Sequence, residues 1–451
     1  MQINPDIFKA YDVRGLYPGE INEEVARLIG RGFAAYLKTD RVAVSRDMRV
    51  SSPGIAAAFT DGVLMHGTDV VDCGMLGTDM LYFAVANDNL GGGAQITASH
   101  NPKQYNGVKM VRSGALPLSG DAGIGDIRTM IANNALPAPA PRRGSLASRD
   151  IVPEYVEKVM SFIDPATIEP FSVVLDAGSG MAGLVAPQLF ARLPCRLTTL
   201  CFTIDGTFPN HEANPLIEEN RRDITAEVVR QKADIGIAWD GDADRCFFID
   251  GTGEFISGDF ITALLAEAFL LKEPGATIVY DLRASHAVKD VVGRYGGRAL
   301  ENRVGHAFIK RRMREEDAAF GGEVTGHYYF RDFYYADNGF IPALLILELM
   351  SKKKQSLRDL LQPFRDRYFI SGEINTKLAS MLDVPKKLEA IEARYKDGRI
   401  EKVDGVSVEY PEWHFNVRPS NTEPLLRLNL EAKSPALMAQ RRDEVLALIR
   451  S

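Results

Sequence analysis

The sequence predicts an α/β protein, because short runs rich in β-branched residues alternate with amphipathic stretches along most of the chain. This alternation is typical of parallel strands joined by crossover helices. The clear strand candidates are residues 41–45, 69–73, 172–175, 233–238 and 277–280. A second observation is a weak repeat: DMRVS at 47–51 returns as DLRAS at 281–285, each directly after a strand. Together they favour a fold built from related α/β units.

Changes in pattern predict where these units end. A length of 451 residues allows about three domains, or one more if the last is small. The Pro-rich stretch 136–143 cannot continue a helix or a central strand, so a first α/β domain is predicted at 1–146. A DGTGE turn closes a second at 147–254, and a third follows at 255–366. Residues 367–451 change to a strand, a helix at 384–395, short strands and a helix at 435–449, which is typical of a small α+β domain.

Composition excludes several classes of function. Sixty acidic and 53 basic residues give a net charge of −7, which argues against a general binder of nucleic acid or anionic membrane. The longest apolar runs are short and contain Glu267 or Glu348, and no signal peptide is recognised. The cysteines form no CxxC pair, so neither a disulfide framework nor a zinc site is predicted, and a reducing cytoplasm is expected. They are Cys73, Cys195, Cys201 and Cys246.

The acidic run WDGDADRC predicts a divalent-cation site. Asp240, Asp242 and Asp244 occupy alternate positions, and in an extended loop such side chains point the same way, so three carboxylates can converge on Mg²⁺. An EF-hand calcium loop would need Gly at its sixth position and Glu at its twelfth, where this chain has Arg245 and Gly251. The remaining alternative is a solvated acidic turn.

Ser99, in ITASHNPKQYNG, is the candidate for carrying a phosphoryl group. The glycines before it allow close approach of the backbone to a phosphate, and amides of the turn could point at that phosphate. The alternative is a helix start capped by Ser99 or Asn101, with Pro102 in the first turn. A hydrolytic serine is disfavoured, because the GxSxG elbow is missing.

Two further loops suit the binding of a phosphorylated sugar. Near the C-terminus, RPSNTEP offers a guanidinium, hydroxyls and amides for a phosphate monoester, although a plain polar hairpin is the alternative. Its candidates are Arg418, Ser420, Asn421 and Thr422. GEVTGH brings Glu323, Thr325 and His327 close in sequence, and its carboxylate and hydroxyl can bind neighbouring sugar hydroxyls, although a plain turn is the default.

Three separate residues are candidates for proton transfer or for a structural role. They are Arg14 in KAYDVRG, Lys109 in YNGVKM and His306 in VGHAFIK. Each carries a basic group that could give or take a proton, and the sequence does not choose among them.

With its loops TASHNP, DGDADR, GEVTGH and RPSNTEP in this order, the chain resembles the α-D-phosphohexomutases, closest to the phosphomannomutase/phosphoglucomutase branch. The resemblance covers nearly the whole chain. It implies three related α/β domains with mixed sheets and a C-terminal α+β domain around a central cleft. It also implies a cytoplasmic enzyme, monomeric or dimeric, that acts on small sugar phosphates and binds neither nucleic acid nor membrane.

The resemblance further implies a role for each candidate. Ser99 would be the phosphoserine, and it would ligate Mg²⁺ together with Asp240, Asp242 and Asp244. Arg245 would lie beside the phosphoserine, and Lys109, Arg14 and His306 would assist proton transfer. Substrate would be bound by Tyr11, Arg283, Glu323, Thr325, His327, Arg418, Ser420, Asn421 and Thr422.

The implied reaction has two steps. Phosphorylated Ser99 would transfer its group to a hexose 1-phosphate, giving a hexose 1,6-bisphosphate that serves as intermediate and activator. The bisphosphate would turn over and return its other phosphate to Ser99, leaving a hexose 6-phosphate. A phosphoglucosamine mutase, a sugar-phosphate phosphatase and a non-catalytic sensor remain alternatives. Asn421 and His327 favour the mannose/glucose branch, whereas Thr325 and Arg283 depart from its commonest residues.

Overall fold

The computed structural model describes residues 3–120, 122–420 and 424–451. The chain divides into two compact units, which are described separately. Unit one comprises Met1–Phe255 and Thr325–Ser356, and unit two comprises Ile256–Val324 and Leu357–Ser451.

The helices and strands are numbered in chain order. The helices are α1 Glu23–Leu37, α2 Ser52–Met65, α3 Thr78–Asn87, α4 Ile124–Ala132, α5 Val152–Met160, α6 Ala182–Phe190, α7 Arg222–Gln231, α8 Gly258–Lys272, α9 His286–Arg294, α10 His306–Glu315, α11 Ile341–Lys353, α12 Leu357–Arg365, α13 Asp383–Arg394 and α14 Pro435–Arg450. The strands are β1 Val13–Leu16, β2 Arg41–Arg46, β3 Asp69–Met75, β4 Gly92–Ile96, β5 Tyr105–Arg112, β6 Leu116–Pro117, β7 Leu146–Ser148, β8 Ser172–Asp176, β9 Arg196–Leu200, β10 Ile235–Trp239, β11 Cys246–Asp250, β12 Phe255–Ile256, β13 Thr277–Asp281, β14 Arg298–Asn302, β15 Phe320–Gly322, β16 Tyr328–Phe330, β17 Ala336–Asp337, β18 Phe369–Ile370, β19 Ile374–Lys377, β20 Arg399–Glu401, β21 Val406–Glu409, β22 Trp413–Pro419 and β23 Leu425–Ala432.

Two mixed sheets form the framework of unit one. The first has the order β1-β5-β4-β2-β3-β7, with β6 beside β5, and in the second β11, β10, β8 and β9 lie side by side. β2 pairs in parallel with β3 and β4, and β8 pairs in parallel with β9 and β10. The pairs β1 with β5, β4 with β5 and β10 with β11 are antiparallel. For the last two pairs the reason is the short connection, since a short turn can join only antiparallel neighbours. These two short turns are the ones that carry Ser99 and the three aspartates.

Close packing of helices covers the first sheet. α1 begins at Glu23 after Asn22, whose side chain accepts the backbone N–H groups of Glu24 and Val25, a regular N-cap. α1 and α2 meet at Gly30 and Gly62, where the helix backbones come so close that an added Cβ would lie 2.2 Å from Phe59 O and 2.1 Å from Arg27 O respectively. α11, also in unit one, is buried along nearly its whole length.

Unit two contains a parallel arrangement and an antiparallel sheet. β13 pairs in parallel with β14 on one side and with β15 on the other. The last sheet has the order β18-β23-β22-β21-β20, with β19 also beside β23, and all its pairs are antiparallel. Its core contains Trp413, Phe415 and Tyr395, packed with residues of α13 and α14. The α+β order predicted for this part of the chain is confirmed.

The predicted α/β class is confirmed, and so are the five strands and two helices, with ends that differ by one or two residues. The Pro-rich stretch 136–143 is irregular. The mixed sheets that the family resemblance implies are confirmed, whereas the residue pattern by itself indicated only parallel strands joined by crossover helices. The predicted domain boundary after residue 146 falls within β7, which pairs with β3. The four domain ranges stay predictions. Within the described parts of the chain, no helix combines the length and apolar character needed to cross a membrane.

Candidate active site

The turn that carries Ser99 is not a helix start. Residues 97–104 form turns between β4 and β5, so the capping alternative is wrong. Ser99 has a positive φ of 53° and is 1% exposed. Its N–H donates to Thr97 Oγ1 at 2.9 Å. A non-glycine residue held in this conformation marks a backbone that its surroundings determine tightly.

Arg49 supplies much of that constraint, and sequence analysis did not select it. Its side chain is buried with Asp47, at 3.1 Å from Nε to Oδ2. The guanidinium also donates to the carbonyl oxygens of four residues, at 2.7, 2.6, 2.8 and 3.1 Å, which are Ser99, Asn101, Pro102 and Tyr105. One side chain therefore fixes the whole serine turn. The DMRVS repeat was the available signal, because Arg283 pairs with Asp281 in the same way.

The three aspartates converge, but not through an extended loop. Ala243 N–H donates to Asp240 O at 3.1 Å and Ala243 has a φ of 60°, so the segment is a tight turn. One oxygen from each of Asp240, Asp242 and Asp244 lies within 4.8 Å of the others. All three are at most 1% exposed, which excludes a solvated acidic turn. Ser99 Oγ donates to Asp240 Oδ2 at 3.1 Å.

Lys109 on β5 faces these carboxylates. Its Nζ lies 2.7 Å from Asp242 Oδ2 and 2.6 Å from Asp244 Oδ2. Burial alone would lower the pKa of Lys109, but the charges of Asp242 and Asp244 raise it well above its usual value. Burial, with the charges of Asp244 and Asp242, raises the pKa of Asp240. Burial acts in the same direction on the pKa of Asp242, but the charge and hydrogen bond of Lys109 lower it overall.

The carboxylates fit a hard divalent cation. Within the part of the chain that the structure describes, Asp242 Oδ1 and Asp244 Oδ1 are buried without a hydrogen-bond partner. A buried carboxylate oxygen left in this way is costly. Carboxylate oxygens are the ligands that Mg²⁺ prefers, so the donor set agrees with the predicted cation.

Basic side chains surround the serine turn. Arg14 Nη1 donates to Asn101 Oδ1 at 2.5 Å, and Arg14 also pairs with Asp12. Arg245 Nε lies 3.5 Å from Asp240 Oδ2. His100 Nδ1 lies 3.2 Å from Ser99 Oγ, a contact that sequence analysis missed although His100 stands in the quoted motif. Burial and the charges of Arg245 and Arg14 lower the pKa of His100 well below its usual value.

The last three residues of the GEVTGH turn, 325–327, belong to unit one. His327 forms a β-bridge with Arg245, and its Nδ1 lies 3.2 Å from Asp337 Oδ2 and 3.8 Å from Asp244 Oδ1. Thr325 is half-buried in this turn. Tyr11, which lies just before β1, is also half-buried. The structure thus places His327 beside the acidic turn, and sequence analysis missed its neighbour Asp337.

The other predicted binding residues lie in unit two. Arg283 Nη1 is 3.0 Å from Glu373 Oε2, Arg427 Nη1 is 3.0 Å from Glu373 Oε1, and Arg418 Nη2 is 3.9 Å from Glu373 Oε2. Three guanidinium groups thus converge on one carboxylate, an arrangement that suits an anion. Although burial opposes them, Arg283, Arg427 and Arg418 lower the pKa of Glu373. Sequence analysis missed Glu373 and Arg427.

The remaining described candidates, Glu323, His306 and Ser420, also lie in unit two. Glu323 is buried, and its Oε2 accepts the N–H of Gly305 at 3.3 Å, immediately before His306 starts α10. Ser420, which follows β22, donates its N–H to Leu425 O at the start of β23, at 2.8 Å. Asn421 and Thr422 lie outside the described residues.

Comparison with known proteins identifies the family to which the chain belongs. Models of the phosphoglucomutase/phosphomannomutase family match in four parts: alpha/beta/alpha domain I at residues 5–137, domain II at 153–253, domain III at 257–368 and the C-terminal domain at 373–448.

Individual relatives match over nearly the whole chain. A phosphomannomutase from Escherichia coli is 44% identical over 454 residues, which cover 98% of this chain and 99% of that protein. A phosphohexose mutase from Xanthomonas campestris pv. campestris is 43% identical over 447 residues, covering 98% and 99%. The crystal structure of a phosphoglucomutase/phosphomannomutase family protein from Burkholderia thailandensis is 34% identical, with a TM-score of 0.91 over 100% of this chain and 98% of that one. The chain therefore belongs to the phosphoglucomutase/phosphomannomutase family, and it is a phosphosugar mutase.

Proposed function

We propose that this mutase interconverts hexose 1-phosphate and hexose 6-phosphate through a phosphoserine at Ser99 and a hexose 1,6-bisphosphate, with Mg²⁺ as its cation. The observation that carries the proposal is the position of Ser99. Its Oγ lies 3.1 Å from Asp240 Oδ2, in a turn that Arg49 fixes and beside the two aspartate oxygens without hydrogen-bond partners.

The cation would be held by Asp240, Asp242 and Asp244 together with Ser99. When bound, it offsets the charge of the transferring phosphoryl group. Lys109 adds a fixed positive charge at 2.7 and 2.6 Å from two of the carboxylates. Arg245 and Arg14 add further positive charge near the turn, which favours a dianionic phosphoserine there. Lys109, Arg14 and His306 are the residues proposed to assist proton transfer.

Unit two supplies the proposed recognition of the second phosphate and the sugar. Arg283 and Arg418, which share Glu373 with Arg427, present guanidinium groups of the kind that bind phosphate in a bidentate manner. Ser420, Asn421 and Thr422 complete the proposed phosphate-binding set, and Tyr11 and His327 assist. Glu323 and Thr325 bind sugar hydroxyls in this proposal.

The proposed substrates are mannose and glucose phosphates. Relatives named phosphomannomutase and phosphohexose mutase support this choice over a phosphoglucosamine mutase or a phosphatase. A cytoplasmic location, a monomeric or dimeric state and the lack of nucleic-acid or membrane partners remain predictions from the sequence.

Phosphorus NMR tests the reaction. Purified protein with Mg²⁺ and a trace of glucose 1,6-bisphosphate is mixed with mannose 1-phosphate or glucose 1-phosphate. We expect the 1-phosphate signal to be replaced by a 6-phosphate signal, with turnover lost in Ser99→Ala. Ser113→Ala is the matched control, because Ser113 is an exposed serine that directly follows β5, the strand after the serine turn. Release of inorganic phosphate, or an unchanged rate in Ser99→Ala, would overturn the proposal.

A further inference from the structure

A second group of metal-ligating side chains lies outside the candidate active site, in the second sheet of unit one. Its members are Asp176, Cys201 and His211. β8 and β9 are parallel neighbours, and Asp176 at the end of β8 is in register with Leu200 at the end of β9. Cys201 directly follows Leu200, so the carboxyl ends of two adjacent strands bring a carboxylate and a thiol to one edge of the sheet. His211 returns to this edge at the end of the loop that starts at Cys201.

The two separations that involve His211 fit a tetrahedral site, and all three ligand atoms lie within 4.8 Å of one another. His211 Nε2 lies 3.1 Å from Asp176 Oδ2 and 3.6 Å from Cys201 Sγ. Zinc bonds of about 2.0 Å to nitrogen or oxygen and about 2.3 Å to sulfur give edges of roughly 3.3 Å for N···O and roughly 3.5 Å for N···S. One carboxylate and one thiolate would neutralise a dication. Hard Mg²⁺ prefers all-oxygen sites, so sulfur and nitrogen ligands select a softer ion.

Each ligand also has a partner that orients it, as metal ligands usually do. His211 Nδ1 lies 3.0 Å from Glu212 O, which places a proton on Nδ1 and leaves Nε2 as the ligand atom. Asp176 Oδ1 accepts the N–H of Gly178 at 2.9 Å. Asn210 Nδ2 donates to Cys201 Sγ at 3.4 Å. Cys201 and His211 are only partly buried, so water can complete the coordination.

Comparison with the other α/β sheets strengthens the interpretation. Asp47 after β2 and Asp281 at the end of β13 each accept the N–H two residues ahead and pair with the arginine at that position, Arg49 or Arg283. Asp176 makes the same turn with Gly178, but it pairs with His211, which in turn contacts Cys201. An arginine cannot ligate a metal ion, whereas these two side chains can.

We infer that Asp176, Cys201 and His211 form a binding site for a borderline-soft divalent cation of the zinc type, separate from the carboxylates of the acidic turn. On binding, metal–sulfur and metal–nitrogen bonds form, and the thiol proton of Cys201 and the Nε2 proton of His211 leave to solvent, with no change of oxidation state. The ion would fasten both ends of the 201–211 loop to β8. Phe208 of this loop lies 5.4 Å below the Arg49 guanidinium, so occupancy would also support the residue that holds the serine turn.

Cobalt spectroscopy tests the inference with a readout independent of turnover. Metal-free protein is supplied with excess Mg²⁺, to fill the hard carboxylate site, and titrated with Co²⁺. We expect a sulfur-to-cobalt charge-transfer band that saturates at one equivalent, persists in Cys195→Ser and disappears in Cys201→Ser. Asn210→Ala should weaken binding by about tenfold. The His286, His414 and Glu431 cluster has no sulfur and cannot give this band. An unchanged band in Cys201→Ser would overturn the inference.

A second measurement needs no variant and so does not depend on the folding of a mutant. The wild-type protein is alkylated with iodoacetamide, with and without Zn²⁺ in excess Mg²⁺, and peptide mass spectrometry follows Cys201 and Cys195 separately. We expect Zn²⁺ to slow alkylation of Cys201 but not of Cys195. Equal alkylation of Cys201 in both samples, or the lack of a cobalt–thiolate band in the wild type, would mean that His211 and Asp176 form only an ion pair.

Discussion

Replacing Arg49 by methionine should destabilise the serine turn more than any surface substitution. The change removes donors to four carbonyl oxygens, at 2.6 to 3.1 Å, and leaves Asp47, which is fully buried, without its cation. Loss of one partner of a buried ion pair costs about 3–5 kcal/mol, and carbonyls left without donors add to this. Ser52 Oγ still donates to Asp47 Oδ1, so we expect a total near the low end, about 3 kcal/mol.

Urea unfolding followed by tryptophan and far-ultraviolet signals would measure the loss, and hydrogen exchange would localise it to residues 97–105. Arg112→Met is the matched control, since Arg112 is exposed at the end of β5 and should cost less than about 0.5 kcal/mol. Turnover should fall in Arg49→Met, because Ser99 loses the contact that fixes its carbonyl. A loss below about 1 kcal/mol with unchanged exchange in the turn would refute the role given to Arg49.

Three further expectations follow from packing and charge. Gly30→Ala should destabilise by more than about 1 kcal/mol, because the new Cβ would lie 2.2 Å from Phe59 O, whereas Gly293→Ala in α9, with open space around it, should be neutral or stabilising in thermal unfolding. The second concerns pH. The pKa of Glu373 is lowered in the folded protein, so its charged form stabilises the fold fully above its unfolded pKa of about 4.3, and this stabilisation is lost as the pH falls through the lower folded value. The difference in Tm between wild type and Glu373→Gln should therefore shrink in acid. A difference that stays constant with pH would contradict this. Finally, Arg418→Lys keeps the charge but not the guanidinium fork, so steady-state assays should show KM rising more than tenfold for the 1-phosphate; an unchanged KM would argue against a phosphate contact.

Local features of the sequence predicted much of the fold. Strands such as β2 and β10 were predicted because their apolar, β-branched runs are short and end in glycine-rich or polar turns. The mixed sheets were expected only from the family resemblance, because the direction of β5 and β11 depends on how short the preceding turn is and not on the residues of the strand. The acidic turn shows the same limit: the aspartates' convergence was predicted, but the positive φ of Ala243 that produces it was not.

The missed residues act through contacts between distant parts of the chain. Arg49 matters because it donates to carbonyls 50 to 56 residues away, and Glu373 because it lies among arginines from three separate segments. Similarly, Cys201 and His211 are 10 residues apart and Asp176 is 35 residues before His211, a spacing that matches no short metal-binding motif. Such groups become visible only after the strands that carry them are adjacent.

Locating the transferred phosphoryl group tests the proposed phosphoserine directly. Protein freed of phosphate is incubated with Mg²⁺ and glucose 1,6-bisphosphate labelled with phosphorus-32, digested, and mapped by mass spectrometry and radioactivity. We expect one labelled peptide, phosphorylated on Ser99, and loss of the label when unlabelled hexose 1-phosphate is added. Label on another residue, or label on Ser99 that substrate does not remove, would contradict this expectation.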